Sequence, residues 1–185
     1  MFQTAAQIPD LMEQGESGDV SEEVVKAAAE NIGDYGLQVM NLLFEHQGQS
    51  LPVSEQVVQA AAANTGESCE QILECLFERR CLLISEEVLK AAAANTGCYY
   101  NAARLMAALL RRQERGLLTS EEVLKAAAAN TGSFTPEVME VLLKYQEPEQ
   151  ESLISDEVLK IAAANTNYRA HEIRAILLRR RERAS

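Results

Sequence analysis

A chain of 185 residues, 47% hydrophobic and 24% charged, suits one compact domain or one short repeat array and is too apolar for disorder. Its 28 acids against 17 bases give a net charge of −11, which excludes general nucleic-acid binding, and no run approaches the ~18 apolar residues of a membrane span. Residues 1–10 lack the basic and apolar regions of a signal peptide, and Cys69, Cys75, Cys81 and Cys98 have no zinc-ligand spacing. The expectation is a reduced, cytoplasmic compartment, with no metal and no cofactor.

In chain order, residues 4–14 carry the pattern of a worn second helix, expected to cover the first apolar edge, so residues 1–20 read as an N-terminal half-repeat cap. From Ser21 onward, a block of the type Ser-Glu-Glu-Val-Leu-Lys-Ala-Ala-Ala-Ala-Asn-Thr-Gly recurs five times. It opens at Ser21, Ser54, Ser85, Ser120 and Ser155, at intervals of 33, 31, 35 and 35 residues. A period near 33 with two helical patterns per period predicts stacked helix pairs, each dependent on its neighbours.

The first helix of each pair, A, begins at the serine, whose hydroxyl suits an N-cap, and continues into acids favoured by the positive helix end. Apolar residues before the cap (Val20, Val53, Ile84, Ile154) pair with Val25, Val58, Leu89 and Leu159 as hydrophobic staples. Glu22–Lys26, Glu86–Lys90 and Glu121–Lys125 stand four apart in the favourable order, worth about 0.3 kcal/mol each. The alanine runs allow close helix approach. Helix A is expected to end where Gly66, Gly97, Gly132 and, in the last repeat, Asn167 tolerate a left-handed backbone. Asn31, Asn64, Asn95, Asn130 and Asn165 share one place in all five blocks. They form either a ladder tying each turn to backbone or a row of ligand-binding amides, and identical placement favours the ladder.

The second helix, B, shows a wide apolar face: Leu37, Val39, Met40, Leu42 and Leu43 in repeat one, Val138, Met139, Leu142 and Leu143 in repeat four. Thr135-Pro136-Glu137 is a clean start signal. The arginines near the C-terminal end make the last helix polar, which suits a terminal cap.

The motif Ala-Ala-x-Asn-x-Gly…Glu-Val-Met-x-x-Leu-Leu, clearest at Ala127, Ala128, Asn130, Gly132, Glu137, Val138, Leu142 and Leu143, resembles the helix pair of ankyrin repeats. The ankyrin opening Thr-Pro-Leu-His and the glycine-led hairpin are missing. The whole block more closely resembles an ankyrin-like repeat of fungal NACHT-type (STAND, or NOD-like) signalling proteins, over roughly residues 20–180. That resemblance implies an array that senses partners downstream of a nucleotide-binding switch. The chain carries no Gly-rich phosphate loop, so the switch itself is not expected here.

Function is expected where repeats deviate. Repeat three has a two-residue insertion around Cys98-Tyr99-Tyr100-Asn101, and Tyr35 and Phe134 take the comparable place elsewhere. Tyr35, Cys98, Tyr99, Tyr100 and Phe134 are therefore the candidate binding residues, since aromatics anchor interfaces. The competing reading has each ring covering the end of the inter-helix core. The acidic run Glu147-Pro148-Glu149-Gln150-Glu151 is a lesser candidate. Cys75 falls on an apolar helix position, whereas Cys69 and Cys81 sit near helix ends with partial exposure expected. His46 and His171 lie in the first and last repeats, which disfavours a shared Cys-His site, and the paired acids read as solvated first turns. No catalytic residue is assigned.

Residues 1–84 hold 14 acids and 3 bases, whereas residues 169–185 hold six arginines and two glutamates. This asymmetry leads to an expectation of partner steering or head-to-tail self-association. The sequence reading is an all-α solenoid of five ankyrin-like helix pairs behind the half-repeat cap. Its function would be a non-catalytic scaffold for a protein or peptide, in the sensor array of a larger signalling protein. The alternative is a small enzyme or small-molecule carrier using a groove near Tyr99 and Tyr100. No nucleic-acid or membrane partner is expected.

Overall fold

The computed structural model describes residues 19–33, 35–79, 84–97, 102–112, 119–146 and 154–184. Among them are ten α-helices, one 3-10 turn and no strand. The A helices are α1 (Glu22–Glu30), α3 (Glu55–Ala63), α5 (Glu86–Ala94), α7 (Glu121–Ala129) and α9 (Asp156–Ala164). The B helices are α2 (Gly36–Gln47), α4 (Cys69–Arg79), α6 (Ala102–Arg112), α8 (Thr135–Lys144) and α10 (Ala170–Ala184). The half-repeat cap of residues 1–20 falls, but for its last two residues, outside the described residues.

The chain divides into two compact units, residues 1–82 and 83–185. In the first unit α1 packs on α3 and α2 on α4, and each A helix packs on the B helix that follows it. Met40, Leu43, Ile72, Leu73 and Leu76 fill the space between them and are essentially covered. In the second unit α5, α7 and α9 pack in series, as do α6, α8 and α10. Leu89, Met106, Leu109, Leu124, Met139 and Leu142 form its core. Fully covered alanines at 61, 62, 93, 127 and 128 are what let neighbouring A helices approach. In α2 the buried face is Gly36, Met40, Leu43 and Phe44, while Leu42, expected on that face, is 53% exposed. Cys75 is buried as expected, and Cys69 is fully buried rather than partly exposed, because it opens α4 on its core side.

Each of the five serines precedes an A helix in extended backbone. Ser85, Ser120 and Ser155 accept from the amides of Val88, Val123 and Val158, and Ser54 accepts from that of Gln56. Ser21 makes no such bond. The ion pairs differ from the expected i,i+4 set. Glu121–Lys125 forms at 3.2 Å, but Lys90 pairs with Glu87 and Lys26 reaches toward Glu30.

The serines have a second use. Besides capping its own helix, Ser54 donates to Glu22 of the preceding repeat at 2.5 Å. Ser120 donates to Glu86 at 2.8 Å and Ser155 to Glu121 at 2.7 Å. A hydroxyl both accepts and donates, so one side chain closes the start of its helix and ties it to the neighbour. The Ser155 hydroxyl and, after it, Lys125 hold the Glu121 carboxyl below its ordinary range. These first-turn acids, read in the sequence as merely solvated, are therefore rungs between repeats.

The asparagines form the other ladder. Asn64 Nδ2 donates to the carbonyls of Ala29 (2.7 Å) and Asn31 (3.0 Å), and its Oδ1 accepts from Gly66 N (2.7 Å). Asn130 repeats the pattern with Ala93, Asn95 and Gly132, and Asn165 with Ala128, Asn130 and Asn167. These amides are engaged internally, so they are not a ligand-binding row. The asparagine backbones are extended, with ψ between 111° and 129°. The left-handed ending expected at the turn glycines is not what the structure uses. Gly48 alone has positive φ among the described residues, and no non-glycine residue does. A Cβ on Gly66 would stand 2.6 Å from the Ile32 carbonyl oxygen and 2.8 Å from Ile32 Cα. The glycine is there because successive turns stack backbone on backbone.

Candidate functional site

The A–B turns carry residues that differ between repeats behind an asparagine that recurs in all five. At each described turn the asparagine Oδ1 accepts from the amide two residues on, at 2.6 to 2.9 Å, so the turn is closed before the variable residue is reached. Tyr35 follows directly and is 59% exposed. Phe134, at the corresponding place, is half-buried and faces a crevice of about 10 Å3 bordered by Thr96, Asn130 and Val138. Phe134 therefore covers the end of the inter-helix core, whereas Tyr35 stands free of it. Cys98, Tyr99 and Tyr100, on which the small-molecule alternative stood, lie outside the described residues, as does the acidic run 147–151.

Repeat five departs from the rest in ways the sequence reading missed. Asn167 is not a left-handed turn residue but an extra rung: its Nδ2 donates to the carbonyls of Thr131 (2.8 Å) and Gly132 (2.6 Å). Its Oδ1 accepts from Arg169 N at 2.7 Å. Arg169 takes the place of the aromatic residue. Its guanidinium bridges Glu172 (2.7 and 2.8 Å) and Glu137 (2.8 Å) and donates to the Ser133 carbonyl (2.8 Å). The carboxylates of Glu172 and then Glu137 raise its pKa beyond the ordinary arginine value, and Arg169 in turn lowers that of Glu172. Arg169 is thus a clamp between neighbouring repeats rather than part of a free basic tip. Tyr168, one residue off the aromatic register, is 74% exposed and was missed for that offset. Tyr35 and Tyr168 are the exposed aromatics of the described A–B turns, and Tyr145, also exposed, closes α8.

Among the described residues no three His, Cys, Asp or Glu side chains are grouped to hold a metal ion. No described helix is long and apolar enough to cross a membrane. Burial raises the Cys75 thiol pKa, so this cysteine is a weak nucleophile.

Helix pairs tied to their neighbours by the same side-chain bonds, repeat after repeat, define a helical-repeat protein. The chain belongs to the family described as "Domain of unknown function (DUF7104)", which matches residues 11–40, 42–70, 82–98 and 109–139, more than half of its length. Each matched stretch contains one A helix and its asparagine, from α1 to α7. Searches of curated proteins and of solved structures gave no match.

Proposed function

We propose that the chain is a non-catalytic binding scaffold, an α-solenoid of ankyrin-like helix pairs that presents turn residues to a protein or peptide. In a larger signalling protein of NACHT or STAND type it would serve as the sensor array. One observation carries the reading: exposed tyrosines, Tyr35 and Tyr168, sit on turns whose backbone an asparagine amide already fixes. A rigid turn loses little conformational entropy on binding, and tyrosine offers a large contact area with few torsions to order. Within each unit the Asn and Ser–Glu ladders supply the fixed spacing that a scaffold needs.

A displayed peptide library selected on the immobilised full chain tests this. Selected peptides should lose roughly 10-fold or more in affinity for a Tyr35→Ser, Tyr168→Ser variant whose melting is unchanged, as expected for aromatic anchors. Peptides that bind both proteins equally would refute the turn edge as the site.

A further inference from the structure

We propose that the groove between α8 and α10 docks an acidic, amphipathic segment of a partner protein. Two adjoining depressions run along these helices. The first, of about 220 Å3, is bordered by Lys144, Arg179, Arg180 and Arg183, faces the single carboxylate of Glu140, and has Leu143 and Ile176 at its base. The second, of about 190 Å3, shares Glu140, Ile176 and Arg179, continues toward His171 and is bordered by Arg169 with its paired Glu137 and Glu172, so it adds no net positive charge. The first depression is thus cationic at its rim with Leu143 and Ile176 at its base, in a chain of net charge −11.

The charge at this place differs from repeat to repeat. Elsewhere in the last pair, Arg169 lies between Glu137 and Glu172 and Arg181 pairs with Asp156 at 2.7 Å. In register with Arg179 and Arg180 stand Glu45 and His46 of the first repeat, Glu78 and Arg79 of the second and Lys144 and Tyr145 of the fourth, whereas repeat three, past its two-residue insertion, carries Arg111 and Arg112 there. A cation at the end of a helix is favoured by the helix dipole, but one suffices for that. Three arginines and a lysine converging on one groove exceed it. Guanidinium groups pair with carboxylates in a forked geometry, and an apolar side chain of the segment would lie over Leu143 and Ile176. Rim charges of this kind set the association rate and its salt dependence.

The probe is a fluorescein-labelled peptide of alternating Glu and Leu, followed by anisotropy on the full chain at low and physiological salt. Wild type should bind, more weakly as salt rises. Arg179→Glu, Arg183→Glu should lose roughly 10-fold or more, with a circular-dichroism melt showing the variant folded. Lys160→Glu, on the exposed face of α9 outside the groove, should bind as wild type does. No binding at low salt, equal loss with Lys160→Glu, equal binding of a Glu-Gly peptide, or tighter binding of a single-stranded RNA would each overturn the proposal. Tyr35→Ser should leave this binding intact, so the turn edge and the groove stand or fall separately.

Discussion

Replacing Asn130 by alanine removes three hydrogen bonds at once: Nδ2 to the Ala93 carbonyl (2.7 Å), Nδ2 to the Asn95 carbonyl (2.9 Å), and Gly132 N to Oδ1 (2.6 Å). Asn130 is 5% exposed, so water replaces these partners poorly and the carbonyls are left without the donor. At about 0.5–1.5 kcal/mol net per bond, with more where a buried group is orphaned, the loss should be about 2–4 kcal/mol. For a chain of this length that lowers the melting temperature by roughly 5–15 °C. Asn31→Ala is the internal control. It removes one bond, to Gly33 N at 2.8 Å, from a half-exposed site, and should lose about 0.5–1 kcal/mol. Asn130→Asp keeps the acceptor but turns a carboxylate toward two carbonyls, so it should lose at least as much as alanine. Urea unfolding followed by far-UV circular dichroism reads all three variants. Equal midpoints for Asn130→Ala and Asn31→Ala would refute the claim that the amide works between repeats.

Gly66→Ala should destabilise by more than about 1 kcal/mol, against the usual stabilising effect of this change at negative φ, because the new Cβ meets the Ile32 backbone. Gly33→Ala, whose Cβ meets only Asn31 Oδ1 at 3.1 Å, should be milder in the same denaturation series. Arg169→Met should destabilise at neutral pH. Because Arg169 depresses the folded-state pKa of Glu172, its contribution is present above the unfolded carboxylate pKa and is lost as pH falls through the folded one. The wild-type advantage in urea midpoint should therefore shrink between pH 5 and roughly pH 3, and an advantage constant over that range would count against the clamp. Gln146 is 6% exposed and its amide nitrogen and oxygen find no partner among the described residues. Gln146→Met should thus raise stability by about 1 kcal/mol, and a fall would show that the amide is satisfied in solution.

The A helices were legible because three local signals agree at each block: a serine cap, acids in the first turn, and an alanine run closed by asparagine. What lies between repeats was less legible. The serine could be read as a cap from its own helix alone, but its donated hydrogen goes to Glu22, Glu86 or Glu121, more than thirty residues earlier in the chain. The same distance hid why Gly66 is a glycine: the atoms that exclude a Cβ belong to Ile32 of the preceding turn, not to its own helix. In the candidate site, Tyr35 was found by its register with Phe134, yet register could not tell that one ring stands out while the other covers the core. Arg169 read as surplus positive charge until the structure placed it between two carboxylates.

The central claim is that side-chain amides join one repeat to the next, and their own hydrogens report on it. Hydrogen exchange of the asparagine Nδ2 protons, followed by NMR, should show Asn64, Asn130 and Asn165 strongly protected and Asn31 exchanging rapidly. An Asn130 side chain that exchanges as fast as that of Asn31 would contradict the ladder.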